Sequence, residues 1–226
     1  MPVIGFVSAR SAESSTRQAA AFRKGLEEIG YVEGQNVTVE YHWLDGRYDR
    51  LPSLVADLVH RRVAVIATPN TTAAALAAKA ATTTIPIVFG VGDDPVKIGL
   101  VASLARPGGN ATGINFFSQE TTTKRLGLLH DLVPKAVHIA VLVNPANASV
   151  GEATLRDIPE AARAHGLQIR VLKASTSREI EAAFATLGRE PADALFVAGD
   201  GFFTRPARAI CDARDALRDS RGLFRS

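Results

Sequence analysis

Residues Ala64–Lys97 read AVIATPNTTAAALAAKAATTTIPIVFGVGDDPVK. Ala64–Ala67 and Ile85–Val91 are short runs rich in Val and Ile, and the Ala-rich segment Ala73–Ala81 between them has strong helical propensity. Two buried parallel strands joined by a crossover helix account for all three pieces. In open sheets of this kind ligands sit beyond the carboxyl ends of the strands, which here carry Thr68–Thr72 and Gly90–Asp94. The first loop runs straight into a helix N-terminus, whose N–H groups and hydroxyls suit a carboxylate. The second offers the adjacent carboxylates Asp93 and Asp94, which suit an amine.

Outward from this unit the same alternation continues. Upstream, Val3–Ser8 reads as a buried strand, Thr16–Ile29 as a helix with Phe22, Leu26 and Ile29 on one face, and Gln35–Tyr41 as a second strand. Tyr48, Leu51, Val55, Leu58 and Val59 recur at helical spacing. Downstream, a short helix is expected over Val96–Leu104, then the strand Ala111–Asn115. The series βαβαβαβ makes the first half a doubly wound parallel sheet. Pro107-Gly108-Gly109 is the densest breaker cluster, so the chain is expected to divide there into an N-terminal lobe, 1–113, and a C-terminal lobe, 114–226. The pattern restarts beyond it with helix Gln119–Leu132, strand Val137–Val143, loop Asn144–Ser149, helix Glu152–His165, strand Leu167–Leu172, helix Arg178–Leu187, strand Ala194–Ala198, loop Gly199–Gly201 and a last helix from about Thr204.

Composition narrows the function classes. A chain of 226 residues, 46% hydrophobic, can bury one large or two small α/β cores. The formal charge of +3 is dispersed and aromatic residues make up only 6%, a pattern without a nucleic-acid-binding stripe. The single Cys211 excludes an internal disulfide and a Cys-rich metal site. His42, His60, His130, His138 and His165 have no ligand-like partner at close spacing, so no metal or other cofactor is expected. Asn36, Asn70, Asn110 and Asn147 open glycosylation triplets that read as accidental. The first strand begins at Val3 without a basic segment or an apolar run before it, so a cleavable signal is not expected in this sequence, and no stretch approaches the roughly 18 apolar residues of a membrane span.

Several stretches carry a resemblance to a known family: IGFVS, FRKGLEEIGYVEGQNVTVEYHW, TPNTTAAALAAKAAT, PIVFGVGDDPVKIGLVASLARPGGNATGI, LVNPANAS and DALFVAGDGFF. Together, over roughly residues 3–206, the chain resembles the substrate-binding proteins of a bacterial ABC-importer family, most specifically between Ile85 and Gly113. The resemblance implies an α/β fold of two doubly wound, Rossmann-like lobes with parallel sheets, the first structural type of periplasmic binding protein. It also implies a monomer in the periplasm that closes on one aromatic or branched amino acid, or a similar solute, and delivers it to an ABC permease. Residue by residue, it places Ser8, Asn70, Thr71, Thr72 and Asp93 at the ligand in the first lobe, and Asn115, Asn144, Asn147 and Asp200 in the second. The Asn70–Thr72 segment would take the carboxylate of a zwitterion and Asp200 its ammonium, with Phe116, Phe117, Phe202 or Phe203 available to stack on a ring. After Ala207 the stretch CDARDALRDSRGLFRS departs from the family's pattern, with charge on nearly every face, so the second lobe is expected to be incomplete.

Other readings of the same residues remain open at this level. Asn, Thr and Ser at helix starts can be simple N-caps, Asp93-Asp94-Pro95 can be a turn, and Phe202 and Phe203 can belong to the core. No GxGxxG, Walker-type or G-x-S-x-G motif is present, and one cysteine cannot supply the pair a two-lobe racemase needs. Asp93 and Asp200 could act as acid and base in a carboxylate-dependent enzyme, and a two-lobe core could also serve as a sensor acting through a partner protein.

Overall fold

A computed structural model describes residues 1–116 and 121–204. Phe117, the first two residues of the helix expected from Gln119, the last helix and Cys211 lie outside the described residues. The chain divides into two compact units, Met1–Ser118 and Gln119–Ser226.

In the first unit, strands β1 (Val3–Ser8), β2 (Thr38–Trp43), β3 (Val65–Thr68), β4 (Ile87–Val91) and β5 (Ala111–Asn115) form one parallel sheet in the order β2-β1-β3-β4-β5. Helix α1 (Thr16–Glu28) follows β1, α2 (Leu51–His60) follows β2 and α3 (Thr72–Ala81) follows β3. Alternation along the strands sorts the core into two layers. Ile66, Ile87, Phe89, Val91 and Ala111 meet Val55 and Leu58 of α2 and Ala74, Ala75 and Ala78 of α3 on one face. Ile4, Phe6, Val39 and Ala67 meet Phe22 and Leu26 of α1 on the other. Helices on opposite faces around a 2-1-3-4-5 order define a doubly wound sheet whose direction reverses between β1 and β3, the place where such folds open a crevice.

The second unit repeats the scheme with α4 (Thr121–Leu132), β6 (His138–Val143), α5 (Ala148–Ala164), β7 (Gln168–Lys173), α6 (Ser177–Arg189) and β8 (Ala194–Val197). Its described strands are parallel in the order β7-β6-β8. Ile139, Val141, Val143 and Phe196 pack with Leu126 of α4 and Ile158 of α5, while Ala140 and Leu142 pack on the opposite face with Ile180, Phe184 and Leu187 of α6.

Three details depart from the sequence reading. Val96–Leu104 is a chain of turns rather than a helix. Asp94 accepts N–H bonds from Val96 and Lys97 and starts a helical turn, but Gly99 at φ +74° reverses it, and the Leu100 and Val101 amides fold back to the Pro95 carbonyl. Helix α5 starts at Ala148, four residues before the expected Glu152, and runs through Pro159. Finally, β5 completes the first sheet and Asn110 ties its start to the α3–β4 loop, its amide donating to the Thr82 and Ile85 carbonyls, so the break between the units falls beyond β5.

Candidate functional site

Ser8 closes β1 and Thr68 closes β3, and both are fully buried at the point where the first sheet reverses direction. Ser8 Oγ accepts from the Arg10 amide at 3.3 Å and contacts Ser15 Oγ at 3.5 Å. The Thr68 hydroxyl has no hydrogen-bond partner among the described residues. Thr68 stood in the loop quoted first but not among the candidate ligand residues; being the last residue of a strand beside the sheet's point of reversal is the signal that marks it.

Beyond Thr68 the chain turns through Asn70, held at φ +64°, into α3. Thr71 is the N-cap of α3 and is buried, yet its side chain makes no capping bond. Thr72 donates its hydroxyl proton to Asp93 Oδ2 at 2.6 Å, both side chains being buried. The Thr72 hydroxyl thus orients Asp93, which leaves Thr71 and the backbone of the loop as the donors there. Asp93 and Asp94 divide two roles between them. Asp94 is the turn residue, its carboxyl drawn below the usual range by the amides of Lys97 and Val96, whereas Asp93 is buried against the α3 N-terminus. Asn115, expected in the second lobe, instead ends β5 in register with Val91 and belongs to the first unit, because β5 pairs with β4 as the last strand of the first sheet; it is half-buried.

In the second unit the candidate residues converge. Asn144 follows β6, Asn147 is the N-cap of α5, and Asp200 lies in the loop after β8. Asp200 is 6% exposed, its Oδ2 accepting from Asn147 Nδ2 at 2.6 Å and its Oδ1 accepting from Asn144 Nδ2 at 3.3 Å and the Phe202 amide at 2.7 Å. Asn144 Oδ1 accepts in turn from the Ala146 amide, and Asn147 Oδ1 from the Ser149 hydroxyl. Both amide groups are thereby fixed with their NH₂ ends on Asp200. These donors satisfy the oxygens of a side chain that would otherwise be costly to bury.

These helix starts differ from that of α6. There Thr176 Oγ1 accepts from the Glu179 amide and Glu179 reaches back to the Thr176 amide, a complete capping box. The side chains of Thr71 and Asn147, though of capping type, do not cap α3 and α5. Phe202 and Phe203 pack with the α6 layer of the core, whereas Phe116 is 48% exposed. Along β2, a groove of about 630 Å³ is lined by Tyr41, His42, Trp43 and Arg50. It lies at the end of the sheet farthest from β4 and none of the candidate residues lines it. Among the described residues no group of three or more His, Cys, Asp or Glu could hold a metal ion.

The model of the ABC transporter substrate binding protein family matches residues 2–215. The tyrosine-binding protein of Clostridioides difficile is 32% identical over 184 residues, which cover 79% of this chain and 50% of that protein. The chain thus spans about half the length of that curated relative. Among solved structures, a conserved domain protein from Vibrio cholerae superposes with a TM-score of 0.81 at 24% identity, covering 96% of this chain and 72% of that one. An ABC domain in complex with L-Trp from Streptococcus pneumoniae gives 0.77 at 20% identity, with the same coverage.

Proposed function

The chain belongs to the ABC transporter substrate binding protein family, and from that premise we propose that it captures a small amino-acid-like zwitterion and hands it to an ABC permease. Members of the family bind solutes rather than convert them, so the acid–base alternative for Asp93 and Asp200 falls away. The family is typically periplasmic or extracellular, and the periplasm is the compartment proposed for this chain.

The observation that carries the reading is the pair of helix starts, α3 and α5, whose N-cap side chains Thr71 and Asn147 make no capping bond, Asn147 donating to Asp200 instead. The first turn of a helix presents N–H groups that need partners, and its dipole favours an anion. At α3 the Thr71 hydroxyl, the loop amides and the buried Thr68 hydroxyl form a set of donors suited to a carboxylate. A hydroxyl buried without a partner costs about 1–3 kcal/mol, which a bound carboxylate would relieve. At α5 the oriented Asp200 carboxylate suits an ammonium. The relatives that bind tyrosine and L-Trp support the amino-acid class.

The test is thermal unfolding against a panel of amino acids and small carboxylates. A ligand at about 100 times its Kd adds about 2.7 kcal/mol and raises Tm by several degrees. Asp200→Asn keeps the shape and removes the charge, and should weaken binding of the active compound at least about tenfold. Unchanged affinity would remove Asp200 from the site, and a panel that shifts nothing would defeat the amino-acid reading.

A further inference from the structure

We propose that His130 and His165 form a two-histidine site for a divalent transition metal, zinc or nickel, that clips α4 to α5 within the second unit. Spacing along the chain gave neither residue a partner; helix packing does. His130 lies in the last turn of α4 and His165 is the C-cap of α5. Helix α4 leads into β6 and α5 into β7, and these strands are parallel neighbours, so both helices end at the amino edge of the sheet. The pair therefore lies at the opposite edge from Asn144, Asn147 and Asp200, and the inference does not depend on the solute reading.

The two helices pack through Leu126, Ile158 and Ala162. At the end of that seam the imidazole rings have centroids 5.2 Å apart and planes inclined at 45°. A Cβ on Gly127 would stand 3.7 Å from His165 Nε2. Gly127 is one turn before His130, on the side toward which a helical side chain leans, so this nitrogen meets the same patch of α4 that the His130 ring covers. His130 Nδ1 is buried without a hydrogen-bond partner among the described residues, a cost that coordination to a metal would remove.

The spacing suits such an ion. A tetrahedral zinc bound to two imidazole nitrogens at about 2.0–2.1 Å holds their ring centroids roughly 5 Å apart. Imidazole suits zinc, nickel and copper, whereas calcium and magnesium take oxygen ligands. Two helix C-termini direct their free carbonyls toward the pair, and their dipoles favour a cation there. No third His, Cys, Asp or Glu joins the two among the described residues, so water completes the shell, with His130 coordinating through Nδ1 and His165 through Nε2.

The experiment is calorimetric titration of the untagged, chelator-treated full chain with Zn²⁺ and Ni²⁺ at neutral pH, repeated on His130→Gln, His165→Gln and, as a control, His60→Gln, each after its cooperative unfolding has been verified. One ion should bind per chain, and either substitution in the pair should weaken it at least about tenfold, since a chelate is lost with either arm. His60→Gln should bind like the wild type, and excess Mg²⁺ should not compete. A second arm needs no variant: saturating Zn²⁺ should slow acylation of His165 by diethyl pyrocarbonate, followed by peptide mass spectrometry, while His60 reacts at its metal-free rate. Affinity unchanged by either substitution in the pair, equal loss in His60→Gln, or acylation of His165 that zinc leaves unaltered would overturn the site. Absence of metal uptake by the wild-type chain would overturn it as well, leaving the solute reading untouched.

Discussion

The Thr72 hydroxyl has one proton, and it goes to Asp93 at 2.6 Å in a buried setting. Thr72→Val keeps the shape and leaves the Asp93 carboxylate without that donor, so urea denaturation should show a loss of about 1–3 kcal/mol. Thr71→Val removes a hydroxyl that caps nothing, and should leave free-protein stability nearly unchanged while weakening the proposed carboxylate contact. Equal destabilisation by the two variants would mean that Thr71 is a structural residue after all. Side-chain roles of this kind were only partly legible in the sequence. Asp93-Asp94 stood out as a pair, but which member is buried depends on how the turn after β4 meets the α3 start. Thr68 was harder still. Its burial comes from strand pairing.

Whole elements were more legible, because a buried parallel strand and an amphipathic helix each leave a periodic mark. The helix expected over Val96–Leu104 failed because Gly99 takes a left-handed conformation that periodicity does not encode. The late start given to α5 came from reading Asn144–Ser149 as loop, whereas Ala148 and Ser149 already belong to the first turn. The capping box of α6 yields a direct expectation: Thr176→Ala should cost about 1 kcal/mol. Its partner Glu179 accepts from the Ser175 amide and hydroxyl and the Thr176 amide, which hold its carboxyl below the usual range. The Asp193 carboxyl is likewise lowered by the His138 and Val137 amides at the start of β6. A lowered folded-state pKa stabilises the fold above the ordinary carboxylate range and loses that contribution as pH falls through the lowered value. Denaturation midpoints should therefore fall below about pH 4, and Asp193→Asn with Glu179→Gln should flatten that acid limb. An acid limb unaltered in the double variant would show that other carboxylates set it.

At the scale of the molecule, each unit has its own pair of core layers. Without ligand, calorimetry should give a calorimetric enthalpy above the van't Hoff value, since two separately cored units need not unfold together. Trp43, the sole tryptophan, lies in β2 and reports only the first unit. Its fluorescence midpoint and the calorimetric profile should therefore diverge in the free protein. A single two-state transition in the free chain would show that the units unfold as one. The uncapped starts of α3 and α5 bear on evolution as well as on binding. On the proposed reading, a residue that sealed the α3 start from within would strengthen the resting protein while competing with the solute's carboxylate for the same donors. Selection for heat resistance alone would then work against the proposed binding, a trade of stability for function written into a single uncapped turn.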